Sequence, residues 1–163
     1  MVTRGVVYVH SCPPAVCPHA EWALSAALGM PVSLAWTPQP ALTGSLRAEL
    51  EWRGEPGTAS EIATALRAWP MLRFEVTEQP SPGCDGERIL YVPGRGARRV
   101  ATSASGDMTI GEQQLRAIRA ECGTAEEMRH AIDSALALEW DTELEPFRHA
   151  ADGAPVTWLH QVG

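Results

Sequence analysis

The chain contains no lysine and no asparagine: all thirteen basic residues are Arg. Phe and Tyr occur only twice each, whereas Gly (14) and Pro (13) are plentiful. The scarce residues share AT-rich codons, so these gaps are the mark of a GC-rich genome and carry no functional message. Without Asn there is no acceptor for N-glycosylation. A basic stripe is missing too. The net charge is −7, which makes the chain a poor reader of phosphate backbones, and no aromatic RNP1 pattern is present; no nucleic-acid partner is expected. Long apolar runs are lacking. Val6–Val9 is too short for a signal peptide. The uncharged stretch from Trp22 to Leu46 is interrupted by Gly29, Pro31, Pro38 and Pro40, which rule out a membrane-spanning helix. A cytoplasmic location is expected, with Cys12, Cys17, Cys84 and Cys122 reduced. There is no G-x-G-x-x-G, P-loop, G-x-S-x-G or H-E-x-x-H motif.

What is present suffices for an ordinary fold. The 163 residues are 45% hydrophobic and 20% charged, enough to bury a core without a metal or disulfide staple. Charge is uneven. Residues 111–163 hold ten acids and four Arg, whereas residues 1–110 hold ten acids and nine Arg. The acidic C-terminal part reads as solvated helix surface.

Patterning predicts an α+β fold. Val6–His10 reads as a strand led by Gly5. Pro18–Leu28 reads as a helix, with Pro18 at its first position, Glu21 near its positive end and Gly29 at its stop. Val32–Trp36 is expected to form a short strand. Leu46, Ala48, Leu50 and Trp52 alternate with Arg47, Glu49 and Glu51, the signature of a strand with one wet face. Thr58–Trp69 is expected to be a helix opened by a Thr58/Glu61 capping box, and Leu72–Thr77 a strand. The first half is therefore β-α-β-β-α-β. It also repeats: shifted by forty positions, Glu21, Ala23, Thr37, Gln39 and Pro40 meet Glu61, Ala63, Thr77, Gln79 and Pro80. Two βαβ units joined this way predict a ferredoxin-like, duplicated half over residues 1–80, with antiparallel strands in the order 4-1-3-2. Residues 81–163 are expected to pack on it as one domain. They comprise a hairpin (88–92 and 98–102), a short strand at 108–110, and helices opened by Thr109/Glu112 and Thr124/Glu127 capping boxes. The second helix carries Met128, Ile132, Ala135 and Leu138 along one face. A further helix is expected near 144–151 and an edge strand at 155–160.

The turn after the first strand gathers His10, Cys12, Cys17 and His19. Cys17 at a helix start suits a lowered thiol pKa. Three readings stay open: small buried thiols with a helix-start histidine, a metal site, and a reactive or redox thiol. C-x4-C-x-H is not a standard zinc spacing, and no metal or cofactor is expected. Cys84, a natural fourth ligand, should lie at the other end of a sheet whose seven-residue strands span roughly 23 Å. The turn at 93–96 should return to the Cys17 end and bring Arg95, with Arg98 and Arg99, toward the helix start. His10, Cys17, His19 and Arg95 are thus the expected ligand-binding set, for a small anion or an acidic protein; Cys17 and His19 are the catalytic candidates. Asp85 and Glu87 flank Gly86 and read as turn residues. Most of the six Trp phase with the core.

Arg4–Ser11, Cys17-Pro18-His19 with Glu21-Trp22-Ala23, Trp36–Pro40, Leu46–Leu50 and Pro80–Arg88 together resemble an actinobacteria-restricted family known as a domain of unknown function. The resemblance spans nearly the whole chain and implies no activity or catalytic residue. Two functions follow from the residues: a non-catalytic ligand- or protein-binding, regulatory protein, or a thiol- or metal-dependent enzyme centred on Cys17 and His19.

Overall fold

A computed structural model describes residues 1–149. Strand β1 (Thr3–Cys12) is followed by a 3-10 turn at Pro14–Val16 and helix α1 (Cys17–Leu28). Then come β2 (Thr37–Pro38), β3 (Leu46–Gly54), α2 (Thr58–Leu66) and β4 (Arg73–Glu78). The second half adds β5 (Gly86–Val92), β6 (Gly96–Thr102), α3 (Glu112–Glu121), α4 (Ala125–Ala135) and α5 (Leu138–His149). The six strands form one antiparallel sheet in the order β2-β3-β1-β4-β5-β6. The fold is α+β; its first four strands lie side by side as β4-β1-β3-β2, with the two-residue β2 in place of the second strand expected at 32–36.

The alternation of each strand sorts two cores. Val7, Val9, Trp52, Phe74, Val76, Ile89 and Tyr91 face α1 and α2, where Leu24, Ile62 and Leu66 are fully buried. Leu90, Val92 and Val100 face the other way and pack with Ala137 and Leu144 of the α5 region. Between them the sheet is sandwiched by helices on both faces, which explains why β4 and β5 are buried along almost their whole length.

Several expectations are corrected by side chains arriving from elsewhere. Residues 32–36 are not a strand; only Thr37 and Pro38 pair with β3. The backbone N–H groups of Val32 and Leu34 donate instead to Ser25 Oγ (2.9 Å) and Glu21 Oε1 (2.8 Å) of α1. Glu21 Oε1 also accepts from Trp36 Nε1 at 3.0 Å, so the segment is tied to the helix and not to the sheet. The Thr58/Glu61 box does not form. Gly57 is the N-cap of α2, and the carboxylate of Glu78 accepts from Gly57 N (2.8 Å) and Ala59 N (2.9 Å). The Thr109/Glu112 box is absent as well: α3 starts after Gly111, and the Thr109 hydroxyl donates to Ala101 O. The Thr124/Glu127 box is complete. Residues 108–110 contribute only a bridge, Thr102 with Met108. Leu138 does not continue α4, because Ala137 takes a positive φ of 55° and breaks the chain direction; α5 begins there, well before 144. Trp22 is exposed, against the expected core placement, while Trp52 is buried and Trp36, Trp69 and Trp140 pack on the cores. Trp158 and the strand expected at 155–160 lie outside the described residues.

Candidate functional site

The sheet has two poles. One lies where β1 ends and α1 starts; it carries Cys12, Cys17 and His19. Because Gly5 pairs with Glu78, β4 ends at the other pole, and Cys84 follows it there. The expected separation of Cys17 from Cys84 is what this register produces.

At the first pole the expected residues have their own engagements. His19 stacks on Trp69 with ring centroids 5.6 Å apart and meets Trp22 edge-on at 5.1 Å, which ties the start of α1 to the end of α2. Arg95 does belong to the β5–β6 turn, but its guanidinium is held by α5: Nη1 donates to Glu139 (2.6 Å) and Nε to Glu143 (2.5 Å). An anion there would compete with two carboxylates. Arg98 donates to Ser134 O, and Arg99 turns to the α2 side, to Ser60 and Glu87. The Cys17 thiol is buried, and loss of solvent pushes its pKa up, the reverse of an activated nucleophile. Among the described residues, no three His, Cys, Asp or Glu side chains converge as a metal-binding group.

His10 lies on the opposite face of the sheet from Cys12. It is buried, and its Nε2 meets Glu75 Oε2 at 2.6 Å. Glu75 is fully buried and is also gripped by Arg148 of α5, which reaches on to Asp141 (2.6 Å) and Glu145 (3.0 Å). Burial alone would raise the Glu75 carboxyl. The His10 hydrogen bond and charge, together with Arg148, outweigh it and hold the group down at about 2. This network locks α5 to the sheet. A sequence reading had the His10 signal but not its partners, which lie 65 and more residues away.

The second pole holds a groove of about 550 Å³. Leu28, Met30, Pro31 and Val32 form one wall, and the end of β3, Leu50 to Arg53, forms the other. The start of β1 and Thr77 and Gln79 of the β4 end complete it. The groove exists because residues 32–36 are held by α1. Beyond Arg47 the outer edge of β3 has no strand partner among the described residues, and the groove runs beside that edge. Its walls are mainly apolar. Its charged residues are Arg4, Arg53 and Glu51, a positive balance in an acidic chain. Arg4 and Arg53 are direct cross-strand partners; Arg4 is steadied by Gln79 Oε1 at 2.7 Å. Trp52 contributes a buried indole whose Nε1 has no hydrogen-bond partner among the described residues. Sequence reading missed this site. Its one signal was Arg53, which continues the polar face of β3, and nothing local marks the neighbouring strand as truncated.

Fold and groove together define a class: an α+β domain with an antiparallel six-stranded sheet, helices on both faces and a basic-rimmed apolar groove at one sheet edge. The family profile described as Protein of unknown function (DUF3145) matches residues 6–161, and the chain belongs to this family. No curated protein and no solved structure matches it. Among the described residues no helix is long and apolar enough to cross a membrane.

Proposed function

We propose that the chain is a non-catalytic binding protein whose groove takes a small amphipathic anion. The apolar body would lie against Met30–Val32 at the open β3 edge, and the acid group would meet Arg4 and Arg53 on the polar face of the sheet. The carrying observation is this pairing of an apolar groove with two register-matched arginines that have no carboxylate partner among the described residues, whereas Arg95, Arg99 and Arg148 do. Small-molecule sites generally combine apolar walls with a few placed polar groups, and Arg suits planar carboxylates and sulfonates. The raised Cys17 pKa speaks against the thiol-enzyme alternative. The Lys- and Asn-free composition favours an actinobacterial source.

The test uses 1-naphthoate and its neutral amide, 1-naphthamide, titrated by tryptophan fluorescence. The acid should bind at least about tenfold more tightly, a difference of about 1.4 kcal/mol. Arg53→Glu should erase the preference without lowering the melting temperature. Equal binding of acid and amide, or binding of neither, overturns the proposal.

A further inference from the structure

The remaining unexplained chemistry is the thiol pair at the other pole. Cys12 ends β1 and Cys17 opens α1. The link between them, Pro13-Pro14-Ala15-Val16, is stiff: Pro13 and Pro14 fix their own φ angles, and Val16 N closes the 3-10 turn on Pro13 O at 2.9 Å. That turn folds Cys17 back over Cys12. Both thiols donate to the same acceptor, Pro13 O, each at 3.5 Å, so the two sulfurs converge on one carbonyl oxygen and are no more than twice that distance apart. Both are free cysteines. Packing alone does not require two sulfurs to converge on one carbonyl oxygen.

We propose that Cys12 and Cys17 are a redox pair that closes to an intramolecular disulfide when the folded chain meets a low-molecular-weight disulfide. Cys17 is the entry point, because Cys12 is completely buried whereas Cys17 keeps a little exposure. The buried Cys17 thiol, whose raised pKa makes this step slow and not catalytic, loses its proton to solvent, and its sulfur attacks one sulfur of the small disulfide. That S–S bond breaks, and the first small thiolate leaves and takes up a proton. Cys12 then attacks the Cys17 sulfur of the mixed disulfide. The mixed bond breaks, and the second small thiol leaves with the proton that Cys12 gives up. Two protein thiols are oxidised and one small disulfide is reduced to two thiols. The product is neutral, which suits an apolar surrounding better than a lasting thiolate would. In a reducing compartment the pair would rest open. The cross-link would fasten the end of the central strand to the first helix, and it is independent of the groove at the other pole.

The experiment uses the full chain with Cys84→Ser and Cys122→Ser, so that only this pair remains. The folded protein is incubated with oxidised glutathione, quenched in acid, alkylated in denaturant and weighed intact. The expected product has lost about 2 Da, the two thiol hydrogens, and takes no alkyl group; dithiothreitol restores both thiols. Its melting temperature should exceed that of the reduced form. With Cys12→Ser added, the reaction should stop at a glutathione adduct on Cys17. Two alkylated thiols after oxidation, a glutathione adduct that persists with Cys12 present, or closure only in denaturant would each overturn the proposal.

Discussion

Gly5 shows how tightly one position can be specified. A Cβ there would sit 1.7 Å from Thr77 O and 2.6 Å from Trp52 Cζ2. The first of these is backbone of the neighbouring strand, which cannot swing away as a side-chain tip would. The missing side chain leaves room for the Trp52 indole against β1. Gly5→Ala should therefore destabilise the fold by about 3 kcal/mol, near the upper end for overpacking. Urea denaturation monitored by tryptophan fluorescence measures this, and an unchanged midpoint would mean that β1 and β4 separate more easily than their register implies.

Helix α2 is started by a residue of another element. Glu78, near the end of β4, satisfies two orphan N–H groups at the α2 N-terminus, and its charge complements the helix dipole. Glu78→Gln keeps one acceptor oxygen and turns an NH₂ group toward the other donor. A loss of about 1–2 kcal/mol is expected, with faster amide exchange in the first turn of α2. Glu61→Ala should cost far less, because Glu61 makes no capping bond there. A similar logic governs residues 32–36. Their tie to Glu21 and Ser25 leaves the β3 edge open, so Glu21→Ala together with Ser25→Ala should loosen the groove wall. In the naphthoate titration this double variant should bind at least about tenfold more weakly, or about 1.4 kcal/mol, while leaving the helix content by circular dichroism unchanged.

For the whole molecule, the buried His10–Glu75–Arg148 network joins α5 to the sheet. Glu75 has a depressed pKa, about 2 in the folded state, against about 4.3 in an unfolded chain. Its contribution is complete above the unfolded value and disappears as pH falls through 4 toward 2. Stability measured by urea unfolding should therefore drop by about 3 kcal/mol across that window, and Glu75→Gln should flatten the drop. At neutral pH Glu75→Gln leaves the Arg148 guanidinium buried without its central partner, and a loss of about 3 kcal/mol is expected. Leu144 and Ala137 would then be the main apolar anchors of α5.

Read alone, the chain determined what local physics can determine. The alternation of Leu46–Trp52, the Pro18 and Gly29 bounds of α1 and the Thr124/Glu127 cap are each set by residues a few positions apart. Tertiary structure decided whatever depended on a competing partner. Val32 and Leu34 carry strand-forming side chains, yet their N–H groups found Glu21 and Ser25 first. Thr58 and Glu61 have capping-box spacing, yet Glu78 came in from β4. Arg95 reached its expected turn, and the carboxylates of α5 claimed it. The groove belongs to this second kind: it is the space left where a strand predicted from its own residues was drawn away by a helix, and no pattern within residues 28–53 encodes which of two satisfied arrangements of the same backbone groups packs better.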